Sequence, residues 1–174
     1  MRREQRVERK LIYLTGFMGS GKTTVGSKLG EKWSMDVIDT DQWIEHKEKK
    51  SIAEIFADEG EAHFRDLETE ALKSIKADSL IITTGGGIVG REENRKLMKR
   101  QGKIVYLYCD IEEIIRRLED DTSRPLIQHR DEEKITALFR SRMVVYEEAD
   151  VIIDTTKKSV EEIVEAITLW RRKR

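Results

Sequence analysis

The sequence predicts an α/β fold, with five short parallel strands in one sheet and helices over both of its faces. Two observations carry this. Short apolar runs, continuous rather than alternating, take turns with stretches whose apolar residues recur at helical spacing. The first run also leads through a glycine-punctuated turn into the first helical stretch. Residues 11–15 form the first predicted strand, and a helix follows the turn to about Trp33. Residues 35–39 suit a second strand and 42–47 a helix. Ser51-Ile-Ala-Glu54 is a capping box that opens a short helix. Phe64, Leu67, Ala71 and Ile75 lie on one face of the next helix. Residues 80–84 read as a strand running into Gly85-Gly86-Gly87, and 103–109 as another strand. Ile111, Ile114, Ile115 and Leu118 mark a helix face. Residues 120–131 are polar, hold the single proline and read as a loop. Ile135, Leu138 and Phe139 begin another helical stripe. Val151–Asp154 is the last strand, and Ser159 with Glu162 caps the last helix.

Composition narrows the function. The chain of 174 residues is one domain's worth, and its 34 acids and 33 bases nearly cancel to a net charge of −1. That balance provides no field for nucleic acid or an anionic membrane, so neither is expected as a partner. No run of 18 apolar residues exists, which excludes a helical membrane span. The first ten residues are charged and lack an apolar segment, so they do not read as a secretory signal. Cys109 stands alone and suits a buried thiol in a reducing cytoplasm. His46, His63 and His129 show no metal-ligand spacing. A cytoplasmic monomer is the expectation.

Residues 16–23, GFMGSGKT, match G-x-x-x-x-G-K-[ST] in full, between a strand and a helix. Glycines at Gly16, Gly19 and Gly21 let successive backbone N–H groups curl around phosphate oxygens. The helix N-terminus adds positive partial charge at the same place. Lys22 can reach the outer phosphates, and the Thr23 hydroxyl can ligate Mg²⁺. Asp39-Thr40-Asp41 closes the second strand. If the chain stays extended, both carboxylates face one site about 6–7 Å apart. One can then hold a metal's water shell while the other takes a proton from a hydroxyl. Asp41 equally suits the N-cap of the following helix. The third strand ends in three glycines instead of the usual metal-holding acid, which puts that role on Asp39. The triplet predicts close backbone approach, to a ligand or to the phosphate loop.

Several arginines have an ordinary reading one by one and a functional reading together. Arg142 continues the apolar stripe of Ile135, Leu138 and Phe139, and a guanidinium there needs an anion, from a ligand or from Glu147. Arg65 has Glu61 and Glu68 within helical reach, enough for an ordinary ion pair. Arg124 stands in the 120–131 loop, able to close on a transferring phosphoryl group. Arg117, near a helix end, suits stacking on a base or simple solvation. With a phosphate loop in the same chain, the set suggests an anionic second substrate.

Assembled, these residues resemble the shikimate kinase family over about residues 11–170. The matching pieces are GFMGSGKT (16–23), DTD (39–41), SIAEIF (51–56), GExxFRxxE (60–68), TGGG (84–87), RPL (124–126) and RxxxY (142–146). Other P-loop kinases share the first piece; the combination is specific. The resemblance implies a three-layer α/β/α P-loop kinase fold with strand order 2-3-1-4-5. It implies one kinase domain over 1–174, with a substrate-binding segment at about 40–70 and a lid at about 120–131. It implies transfer of the γ-phosphoryl of ATP, with Mg²⁺, to the 3-hydroxyl of shikimate, on the way to chorismate and aromatic amino acids. By position Asp41 resembles the substrate contact and base, and Asp39 with Thr23 the metal side. Arg65 and Arg142 resemble a carboxylate clamp, with Glu68 orienting Arg65. Gly86 and Gly87 match the backbone at the sugar-like ring, between the apolar walls Phe56 and Phe64. Gly19, Ser20, Gly21, Lys22, Thr23 and Thr24 match the nucleotide cradle, with Arg117 and the 155–159 loop, including Lys158, on its adenine side and Arg124 as the lid arginine. Many relatives read R-x-P-L-Y where this chain has Arg142-Met-Val-Val-Tyr146, and arginine where it has Lys157-Lys158. Another small-molecule P-loop kinase, such as a gluconate kinase, would keep the loop without needing Arg65 and Arg142 to converge.

Overall fold

In the computed structural model, which describes residues 10–120 and 132–173, the apolar runs become one parallel sheet. Its strands are β1 (Lys10–Thr15), β2 (Val37–Asp39), β3 (Ser79–Thr83), β4 (Gly102–Tyr108) and β5 (Val151–Asp154). Their spatial order is β2-β3-β1-β4-β5, all neighbours parallel. The helices are α1 (Lys22–Trp33), α2 (Thr40–Glu48), α3 (Ile52–Ser74), α4 (Glu92–Gln101), α5 (Ile111–Asp120), α6 (Glu132–Tyr146) and α7 (Val160–Arg172).

The continuous apolar strands are buried on both faces, as parallel strands under helices must be. Leu11 and Tyr13 of β1 share one side with Ile82, Ile104 and Tyr106, covered by Leu72, Met98, Ile114 and Phe139. Ile12 and Leu14 point the other way, with Ile81, Val105 and Leu107, under Val25, Leu29, Ile163, Val164 and Ile167. Strand alternation therefore divides one apolar run between two cores. A third cluster, Ile44, Ile55, Phe64, Leu67 and Ala71, joins α2 to α3.

This topology places the site. From β1 the chain crosses to β2 on one side, while β4 lies on the other side of β1. The crossovers diverge at the carboxyl end of β1 and open a crevice there. The phosphate loop leaves β1 at that point, and the glycine triplet leaves β3 beside it.

Three local features differ from expectation. Strand β2 stops at Asp39, and α2 already begins at Thr40. The N-cap is Asp39, whose Oδ1 accepts from the N–H groups of Asp41 and Gln42, so Asp41 is not the cap. The short capping-box helix and the helix after it do form as expected: together they make up α3, and they meet at a kink at Gly60, whose φ of 83° only glycine adopts cheaply. Helix α4 was not anticipated: its buried residues are only Asn94 and Met98, too few to draw an apolar stripe. Glutamates in its first turn and basic residues in its last suit the helix dipole instead. Of the expected 120–131 loop, Asp120 ends α5 and residues 121–131 lie outside the described residues.

Candidate active site

The phosphate loop curls back on itself before α1, with Gly21 at the N-cap in the left-handed region (φ 90°). Lys22 folds over the turn, its Nζ donating to the carbonyls of Gly16 and Phe17 at 2.8 and 2.9 Å. That anchorage holds the ammonium at the lip of a cavity of about 540 Å³. Gly19, Gly21, Lys22, Thr23 and Thr24 line it. Ser20 does not: it is buried behind the loop, its Oγ without a partner.

Asp39 and Asp41 line the same cavity. They reach it by a strand-to-helix turn, not by alternation along a strand, because β2 has already ended. Besides capping α2, Asp39 accepts a 2.6 Å bond at Oδ2 from the Thr83 hydroxyl. Asp41 is less satisfied, since its Oδ1 is buried with no partner among the described residues. Burial, and then the negative charge of Asp39, push its carboxyl up to about 6, while Lys22 and Arg65 pull it down.

Phe56, Phe64, Arg65, Glu68, Gly85, Gly86, Gly87 and Arg142 line the same cavity. The rings of Phe56 and Phe64 pack 4.8 Å apart, and the Phe64 ring also lies against the Arg65 guanidinium. Arg65 donates from Nη1 to Glu68 Oε2 at 2.7 Å and from Nε and Nη2 to Glu61. The expected helical ion pairs thus form, but the Glu68 side chain is only 1% exposed. Burial raises its carboxyl against the lowering pull of Arg65, and its Oε1 has no partner among the described residues. Arg142 makes no ion pair among the described residues; Glu147 does not take it, and it lies over the Phe17 ring at 5.8 Å. The cavity therefore presents two guanidinium groups to one space, one paired with glutamates and one that makes no ion pair among the described residues but feels the charge of Glu68.

The glycine triplet explains how these groups come so close. A Cβ on Gly85 would sit 2.6 Å from Asp41 Oδ1 and 3.1 Å from Glu68 Oε1. A Cβ on Gly87 would collide with the Arg65 guanidinium. Gly85 is also pinned by its N–H to the Thr40 hydroxyl at 3.1 Å. The triplet thus serves close approach, to the side chains of the site as well as to the loop, where Gly86 faces the Gly16 carbonyl.

On the far side of the loop Arg117 donates to the carbonyls of Gly19 (3.1 Å) and Thr155 (3.5 Å) and to Glu113 (2.9 Å). It thereby ties the phosphate loop to the turn after β5, on the side the resemblance assigns to the base. Lys158 is exposed on that turn and does not line the cavity. Arg124 lies outside the described residues. Sequence reasoning did not single out Met18, Ile52, Thr84 and Leu138, which also line the cavity. Leu138 was detectable, one turn before Arg142 on the same stripe; Met18 was hidden at a variable position of the loop motif.

A sequence profile described as shikimate kinase matches residues 18–171. A shikimate kinase of Bacillus cereus is 55% identical over 155 residues, which are 89% of this chain and 94% of the relative. One of Geobacter metallireducens is 45% identical over 90% of this chain and 89% of its own length. Among solved structures, shikimate kinase from Acinetobacter baumannii in complex with shikimate superposes with a TM-score of 0.88 and 36% identity, covering 94% of this chain and 93% of that one. The enzyme from Aquifex aeolicus gives 0.81 at 36% identity, covering 94% and 96%. The fold, the sheet order and the sequence agree, and the chain belongs to the shikimate kinase family.

Proposed function

We propose that the chain transfers the γ-phosphoryl group of ATP to the 3-hydroxyl of shikimate, giving shikimate 3-phosphate and ADP on the route to chorismate. One observation supports this above the others. Gly19, Gly21, Lys22 and Thr23 of the phosphate loop, a partly buried carboxylate and two guanidinium groups line a single cavity. Arg65 and Arg142 hold the ring carboxylate, where charge-assisted contacts are worth about 1.5–3 kcal/mol each. Phe56 and Phe64 wall the ring, and the backbone of Gly86 and Gly87 meets its hydroxyls. Asp41 takes the proton as the hydroxyl oxygen bonds to the γ-phosphorus. The bond to the β-bridging oxygen breaks as that bond forms, and ADP leaves with the electron pair. Lys22 and the loop N–H groups steady the charge on the phosphates, a role the sequence also proposes for Arg124, which lies outside the described residues.

The residues suit a magnesium ion carried by the nucleotide. Among the described residues no group of three acids, histidines or cysteines could cage a metal. Thr23 and Asp39 are both oxygen donors and line the same cavity. Asp39 already accepts three bonds from the chain, which leaves it room to hold a metal's water and little more. Bound there with ATP, Mg²⁺ neutralises phosphate charge. We further propose a single kinase domain over 1–174 acting as a cytoplasmic monomer; no helix of the described residues is long and apolar enough to cross a membrane.

The test is an ATP-coupled assay offering shikimate, gluconate and nucleoside monophosphates in parallel. Turnover of shikimate alone is expected; preference for gluconate or a nucleotide overturns the reading.

A further inference from the structure

Tyr146 ends α6, one helical turn beyond Arg142, with its ring buried. The ring stacks on Tyr106 of β4, centroids 4.8 Å apart and planes 12° from parallel. From that stack the hydroxyl reaches the glycine triplet and donates a 2.5 Å hydrogen bond to the Gly86 carbonyl. The Arg142 guanidinium lies beside the same hydroxyl. A Cβ on Gly86 would stand 3.5 Å from the Tyr146 oxygen and 3.6 Å from Arg142 Nη1. Burial pushes the hydroxyl up to about 12 against the pull of Arg142, so at neutral pH it keeps the proton it donates.

The bond to Gly86 has a consequence on the other side of the peptide. The Gly86–Gly87 unit is trans, and in a trans peptide the carbonyl and the following N–H point in opposite directions. Fixing the carbonyl on Tyr146 therefore fixes the Gly87 N–H facing away from it. Neither Gly86 nor Gly87 gives its N–H to a partner among the described residues, and both line the cavity, whereas Tyr146 does not.

We propose that Tyr146 is a positioning residue for the ring acid: one hydroxyl sets the Gly86–Gly87 peptide and the Arg142 guanidinium in a common frame. A backbone donor and a cation are thereby presented together. The inference rests on the function proposed above and deepens it, since Tyr146 acts through those two groups. Tyr106 supplies an internal control, being the other ring of the same stack with a buried hydroxyl that has no partner among the described residues.

The experiment compares Tyr146→Phe and Tyr106→Phe with the parent in steady-state kinetics and circular dichroism. Tyr146→Phe raises the shikimate KM about tenfold, the effect of losing one bond of a charge-assisted set, and leaves kcat and the ATP KM within about twofold. In an Arg142→Ala background the same change has a smaller effect than in the parent, because the two act together. Tyr106→Phe moves none of these constants. An unchanged shikimate KM in Tyr146→Phe overturns the proposal. An equal rise in the ATP KM does so too, as does an equal effect of Tyr106→Phe. A Tyr146→Phe chain that does not fold overturns it as well, because the hydroxyl would then serve stability. A parent chain without shikimate turnover sinks the functional reading and this inference with it; parent turnover with an unaltered Tyr146→Phe sinks only the inference.

Discussion

Asp41 sets stability against activity, and the exchange can be measured. Its carboxyl titrates at about 6 in the folded chain against 3.8 in an ordinary aspartate, with burial as the main cause and the charge of Asp39 next. Between those values the folded chain binds more protons than the unfolded one. The stability tied to this group is therefore full below pH 3.8 and lost as pH rises through 6. A difference of about two units, at about 1.36 kcal/mol each, gives at most about 3 kcal/mol. Asp41→Asn keeps the shape and removes the charge, so it removes the penalty. At pH 7.5 the variant is predicted to melt several degrees above the parent, at about 2–4 °C per kcal/mol for a chain of this size. At pH 4.5 the gap shrinks to about a third, because the parent's Asp41 is then mostly protonated while the unfolded side chain is mostly ionised. Melting curves by circular dichroism at the two pH values, without nucleotide or metal, make the measurement. The same variant loses at least about 100-fold in kcat if Asp41 is the base. A gap independent of pH, or an Asn variant less stable than the parent at pH 7.5, refutes the claim that the surroundings oppose this charge. Near-normal turnover refutes its catalytic role.

Four further outcomes follow from the same geometry. The acid limb of kcat/KM against pH should rise with an apparent pKa near 6, where burial and Asp39 place the Asp41 carboxyl, and level off above it; a flat profile from pH 5 to 7 would assign the proton to another group. Arg142→Ala should raise the shikimate KM about 10- to 100-fold with a smaller change in the ATP KM, since its guanidinium has no carboxylate of its own among the described residues; an unchanged KM removes it from the clamp. Gly87→Ala should push the Arg65 guanidinium off Glu68 and raise the shikimate KM about tenfold or more while the chain stays folded, read by kinetics beside circular dichroism. Chelating divalent cations should abolish turnover and leave the circular dichroism spectrum intact, with recovery on adding Mg²⁺, because no described residues form a structural metal cage.

How much of this was legible in the sequence depends on the range of the contacts. The phosphate loop and both capping boxes could be read directly, because each is set by residues within one turn of chain. The strands could be read because burial on both faces demands continuous apolar runs. The division of labour between Asp39 and Asp41 could not. It turns on where β2 stops, and Asp39 holds the end of that strand through Thr83, 44 residues away. Arg65 looked ordinary because its two glutamates are local; that Glu68 is buried beneath the glycine triplet is a tertiary fact. The R-x-x-x-Y spacing was in plain view, but only β4, which supplies Tyr106, shows that the tyrosine is aimed at Gly86.

The unpaired oxygens of the site point to what it is built to receive. A buried acceptor without a donor costs about 1–3 kcal/mol, and packing usually removes such atoms. Here Asp41 Oδ1 and Glu68 Oε1 both lie beside Gly85, where any larger residue would strike them. Both carboxyls are pushed upward by burial, so each gains from a donor placed in the gap. Cations are already supplied at the edges by Lys22, Arg65 and Arg142, which leaves neutral O–H groups as the fitting occupants of the centre. In the function proposed above, a polyhydroxylated ring acid would meet both demands at once, with its carboxylate on the arginines and its hydroxyls on the orphaned oxygens. A pocket arranged in this way discriminates by what it leaves unpaired: an analogue that lacks a hydroxyl forfeits a bond and also keeps a buried oxygen waiting, which is the costlier loss.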